Sequence, residues 1–116
     1  MLKMNNDIGW TTPVTAANLD DDPGKLVQGG ETLLYGWSIA NTAAAVTYVQ
    51  LFDAAALVDV VLGTTAPTAW IALSASVVGN AELTKPLRFS LGLVAFSTTT
   101  ATGSTAATSH ATFFIA

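Results

Sequence analysis

Few side chains in this sequence can carry out chemistry. His110 is the only histidine and cysteine is absent, which removes a thiolate nucleophile, a disulfide framework and a Cys-ligated zinc. One imidazole and scattered carboxylates fall short of the clustered ligands that a zinc site needs, so His110 reads as the half-exposed start of a final strand. Gly36-Trp37-Ser38-Ile39-Ala40 contains the Gly-x-Ser of a nucleophile turn. That chemistry requires a strained strand-to-helix turn, a histidine base and an orienting carboxylate, whereas Ser38 falls in mid-strand. Asp20-Asp21-Asp22 offers the hard oxygens that Ca²⁺ takes, but adjacent carboxylates point different ways. The reading there is a solvated turn, with an adventitious or interface-assisted ion as its only metal role. Phosphate-binding glycine loops, paired acid/base carboxylates and glycosylation sequons are absent. The expectation is a protein that is not an enzyme and uses no cofactor and no metal.

Large apolar side chains are the other candidates. Trp37 alternates with Leu33, Tyr35 and Ile39 and is assigned to a core or an interface. Trp10 stands in a polar segment beside Thr11, Thr12 and Pro13, and an isolated Trp of this kind is a good anchor for a partner's pocket. The expected partner contacts are Trp10, Pro13, Val14, Leu19 and Leu26. Trp10, Trp70 and Tyr48 would instead form a sugar-stacking strip if they were exposed together near an Asn or Asp.

The background to these residues is unusual. The 116 residues are 51% hydrophobic and 10% charged, against roughly 25% charged in ordinary domains. This excludes a disordered chain, which needs low hydrophobicity and high charge. With three Lys, one Arg and a net charge of −4, there is no basic footprint for nucleic acid. The uncharged stretches 32–52 and 89–116 are long enough for a bilayer span, but they are interrupted by Asn, Gln, Gly and Thr and lack flanking Lys/Arg anchors. No membrane insertion is expected, and the N-terminus has no signal-peptide core. Thr and Ala supply 37 residues, so solubility rests on hydroxyls or on coverage by another surface.

Charge also divides the chain. Residues 1–32 carry seven charges and residues 33–116 only five. With Asp22-Pro23-Gly24-Lys25 as a turn, residues 1–31 read as an N-terminal arm or set of loops with one short strand, and 32–116 as the packed body. In the body, 32–40 alternates with Leu33, Tyr35, Trp37 and Ile39 on one face. Residues 46–52 are β-branched and aromatic, in preference to a helix opening at Asn41. A short link at 53–56 leads into a strand over 57–62, then a loop at 63–67 and a strand at 69–73. Gly79-Asn80 reads as a turn and 81–84 as a short strand. Residues 87–97 form a long run with a bulge or bend at Gly92. Residues 97–109 form a Thr-rich hairpin about Gly103-Ser104, and 110–116 a final strand. The fold class is all-β: an antiparallel β-sandwich or jelly-roll-like fold of about seven or eight strands.

The runs Leu34-Tyr35-Gly36-Trp37-Ser38-Ile39-Ala40-Asn41-Thr42, Tyr48-Val49-Gln50-Leu51-Phe52-Asp53 and Leu62-Gly63-Thr64-Thr65-Ala66-Pro67 resemble small structural proteins of tailed bacteriophages. Leu87-Arg88-Phe89-Ser90 and Thr98-Thr99-Thr100-Ala101-Thr102-Gly103-Ser104 extend the resemblance over about residues 30–116. It implies a capsid decoration or cement protein, or another minor virion component, located on the capsid surface with the major capsid protein as partner. A homo-oligomer, with a trimer favoured, suits such a role because closed cyclic symmetry is the usual way to build it. A carbohydrate-binding or adhesin-like sandwich on a tail or fibre is the alternative.

Overall fold

The computed structural model describes the backbone of residues 2–5, 9–20 and 24–116, and the side chains of 11–20 and 24–116. The chain forms β1 (Leu2–Asn5), β2 (Gly9–Leu19), β3 (Lys25–Gly29), β4 (Thr32–Asn41) and β5 (Thr47–Asp53). A single 3-10 turn (Leu57–Asp59) precedes β6 (Ala69–Leu73), β7 (Val78–Phe89), β8 (Gly92–Thr98) and β9 (Ser109–Ile115). Sheet 1 has the order β1-β2-β9-β4-β7 and sheet 2 the order β3-β8-β5-β6, all antiparallel. The expected β-sandwich is the fold.

Leu34, Ile39, Val49, Leu51, Phe89, Leu93, Phe113 and Ile115 meet between the sheets and are almost wholly buried. Each such side chain contributes about 1.5–3 kcal/mol of hydrophobic stabilisation. The sandwich begins earlier than residue 32. Residues 9–29, expected as arm and loops, supply one strand to each sheet, β2 beside β9 and β3 beside β8. Their hydroxyl- and Ala-rich composition concealed an inward face of Val14, Ala16 and Leu19. The expected turn at Asp22-Pro23 lies outside the described residues.

The alternation read in β4 is broken by a bulge. Register shifts between Leu34 and Gly36 against both β7 and β9, and an extra residue moves every later side chain to the other face. Leu34 therefore shares the core with Trp37 and Ile39, while Leu33 and Tyr35 are only half-buried. Gly36 is required at the bulge, because a Cβ there would strike the Ala81 carbonyl oxygen. Across the ladder, Leu83, Thr84, Lys85 and Pro86 stand outside the pairing of β7, a position where Pro has no sheet hydrogen bond to lose.

Several expected elements are corrected. Residues 57–62 are a 3-10 turn and loop, since Asp59 and the exposed Val58 and Val61 give no buried alternation. Gly79-Asn80 lies within β7, where Gly79 lets the strand pass close over the Leu73 side chain. The Thr-rich hairpin reduces to one bridge, Thr98 to Ala106, flanked by the Thr99 N–H bond to the Thr105 carbonyl and the Ala107 N–H bond to the Ser97 carbonyl. The bend at Gly92 is real: β7 ends at Phe89, and Gly92 opens β8 in the other sheet at φ +151°.

Sheet 2 is covered on its outer face as well. Phe52, Val94 and Phe96 form a second apolar cluster there, with Leu26, Leu57, Val60 and Leu62 packed over it. Phe52 and Phe96 meet edge to face with centroids 5.8 Å apart. Every residue of β8 is consequently buried, the pattern of a strand sandwiched on both sides.

Candidate interaction surface

The polar side chains that are best engaged serve the fold. Asn41, 2% exposed, donates from Nδ2 to the carbonyls of Ala45 (3.0 Å), Leu73 (3.2 Å) and Ser74 (2.9 Å). Its Oδ1 accepts from the Ala43 N–H and the Thr47 hydroxyl. Gln50 is fully buried on the outer face of sheet 2. Its Nε2 donates to Thr98 Oγ1 (2.7 Å) and to the carbonyls of Gly103 and Thr100, which ties down the Thr-rich loop. Asp53 accepts the N–H groups of Ser90 and Leu91 on its two oxygens, fixing the turn between β7 and β8. Each of these groups replaces water for backbone that would otherwise be stranded.

Among the described residues, no hydrogen bond joins Ser38 to His110 or either of them to a carboxylate. Ser38 lies in mid-β4, and His110 on β9 is exposed, its Nδ1 accepting the Asn18 N–H at 3.1 Å. Among the described residues, no group of three or more His, Asp or Glu side chains is arranged to hold a metal ion, and Asp21 and Asp22 lie outside them. Asp53 and Asp59 border a cleft of about 230 Å³ with Phe52, Val60, Thr68 and Leu91. Asp53 is already committed to the turn.

The expected contact residues separate. Pro13 is exposed and Val14 half-buried against the core. Leu19 is a correction: at 2% exposure it is a core residue opposite Ser109 and is not available to a partner. Leu26 packs on the outer cluster of sheet 2. The Trp10 side chain lies outside the described residues. No helix of the described residues is long and apolar enough to cross a membrane.

Sequence reading missed the flank formed by β6 and β7, the edge strands of the two sheets, and the turn between them. Of the large hydrophobics left exposed, Val46 (44%), Trp70 (53%), Val77 (41%) and Val78 (64%) gather there or at the adjoining turns. Trp70 sits opposite Gln50, and Tyr48 opposite Ala72, so the two aromatics are diagonal neighbours on the outer face of sheet 2. From Val60 through Ala81 there is no charged residue. That gap was visible in the sequence; its placement along one edge was not.

No family model, curated protein or solved structure matches this chain.

Proposed function

We propose that this chain is a non-enzymatic virion structural protein. In this reading it binds the outside of a phage capsid as an oligomeric decoration or cement protein, a trimer seated where capsomers meet. The observation that carries the proposal is an exterior built for contact. Twelve charged side chains share 5825 Å² of surface, about one per 500 Å², where a soluble domain's surface is roughly a quarter to a third charged residues. Large apolar side chains stand exposed in the gaps. A tightly packed two-sheet body with β8 buried on both faces gives the rigidity that repeated binding to equivalent sites demands, and the resemblance of residues 30–116 to phage structural proteins supplies the shell. Within this proposal Trp10, Pro13, Val14 and the partly buried Leu26 remain contacts to the major capsid protein, and the buried Leu19 is withdrawn.

The test is direct addition of purified protein to phage shells that lack it. Regular density on the shell in electron images, with a raised temperature of shell disruption, is the expected result. Bare shells at saturating protein would sink the proposal. The exposed Trp70 beside Tyr48 favours a second reading, a carbohydrate-binding module on a tail or fibre, since paired aromatic faces stack on sugar rings. A glycan array with tryptophan fluorescence as readout distinguishes the two, because the shell reading expects no glycan to change the emission of Trp70.

A further inference from the structure

Sheet 2 ends at β6, and the free side of that strand is unguarded. In an antiparallel strand, alternate residues send their N–H and C=O groups to opposite neighbours. The Ala54 N–H donates to the Gly92 carbonyl, which assigns the even-numbered residues of β5 to β8 and leaves Thr47, Val49 and Leu51 to bond Leu73, Ile71 and Ala69. The Thr68 N–H bond to the Leu51 carbonyl agrees with this phase. Trp70 and Ala72 therefore direct their backbone groups away from the sheet, and no partner among the described residues meets them.

Natural sheets blunt such edges with charge, proline, bulges or a covering loop. β7, the other edge on this flank, carries Glu82, Lys85, Pro86 and Arg88 together with a break in its ladder. β6 is Ala-Trp-Ile-Ala-Leu, with none of these devices. We infer that the free edge of β6 is a homotypic interface, at which two copies of this chain pair antiparallel about Ile71 and merge their second sheets into one. In this register Trp70 faces the partner's Ala72 and the partner's Trp70 faces Ala72. Each pair exchanges the stranded N–H and C=O bonds in both directions, and each large ring lies over a small side chain. A second copy is the occupant that this register favours, because Ala-Trp-Ile-Ala-Leu is complementary to itself across the two-fold, a large ring meeting a small side chain in both pairs. The chain is net −4 and its acidic surfaces repel their own kind, whereas this flank bears no charge from Val60 to Ala81 and presents apolar Val77, Val78 and Val46 around the strand. A two-fold contact is distinct from the three-fold contact of a trimer, so the inference stands without the shell proposal and adds to it.

Light scattering and sedimentation equilibrium on the full chain test this inference. The wild type should contain an even number of copies. Trp70→Lys combined with Ala72→Lys sets ammonium groups opposite one another in both pairs, and should halve the mass while raising the dissociation constant about tenfold or more. Trp70→Lys combined with Ala72→Glu replaces each repulsion with an opposite-charge pair and should restore the mass. Ala72→Pro removes only the free donor, which an edge strand tolerates; circular dichroism should show a folded protein of halved mass. A monomeric wild type overturns the inference, including one that binds only a foreign strand. So does a Lys/Lys variant of unchanged mass, or an Ala72→Pro variant that cannot fold. A wild type of three copies that ignores all these variants overturns the β6 contact and leaves the shell proposal standing.

Discussion

Asn41 and Gln50 are both buried amides that hold loops, but they are not equivalent. Asn41 saturates both ends of its amide, with three carbonyls on Nδ2 and two donors on Oδ1. Gln50 uses only Nε2, and its Oε1 has no partner among the described residues. Replacing Asn41 with Leu strands carbonyls on two loops and should cost about 2–3 kcal/mol. Gln50→Leu also removes an acceptor that was already unpaired, so its cost should be nearer 1 kcal/mol. Urea unfolding of both variants checks this ranking, with the midpoint falling further for Asn41→Leu and the slope unchanged. Neither role was legible in the sequence. Asn41 stood next to an Ala run as a possible helix cap, and its decisive acceptors, Leu73 and Ser74, are more than 30 residues away. Leu19 shows the same limit: surrounded by Ala, Asn and Asp it looked like an arm residue, and only the pairing of β2 with β9 turns it inward.

At the scale of elements, composition announced strands and could not place their faces. β6 and the uncharged β9 were legible because alternation and β-branched residues agree there. β4 was legible as a strand but not in phase, because the bulge at Tyr35–Gly36 exchanges inside and outside halfway along. Substituting Gly36 with Ala should expose that dependence. A Cβ meets the backbone oxygen of Ala81, the strands must separate, and a loss of about 1–3 kcal/mol is expected by thermal or urea unfolding. Residues 57–62 read as another strand for want of any signal that an apolar segment can cover a sheet from outside. Leu57, Val60 and Leu62 shield Phe52, Val94 and Phe96 without joining the ladder. Changing the three covering residues to Ser should uncover this cluster and leave the inter-sheet core closed. The expected signature is new binding of a hydrophobic dye with far-ultraviolet dichroism unchanged. A variant that binds no dye would show that the loop does not act as a cover.

At the scale of the whole molecule, the scarcity of charge sets how the protein can hold a partner. Ionic association weakens as salt shortens the Debye length from about 30 Å at 0.01 M to about 3 Å at 1 M. Contact through apolar side chains and backbone hydrogen bonds keeps its strength over that range. On this molecule the described cations are few and dispersed, and Arg88 is already paired with Glu31. Of the exposed large apolar residues, in contrast, Val46, Trp70, Val77 and Val78 gather at the β6–β7 flank and its turns. If the protein binds shells and self-associates as proposed, shell occupancy and the mass of the free oligomer should therefore change by less than about twofold between 0.05 and 1 M sodium chloride. The acidic segment Asp20-Asp21-Asp22 provides the contrast, since it is the densest charge in the chain. Were it the main attachment to a basic patch on the shell, occupancy would fall steeply across the same range, and changing the three residues to Asn would abolish binding. The contact-driven reading expects the triple variant to bind at the wild-type level, so a salt titration of both proteins on the same shells separates the two modes of attachment.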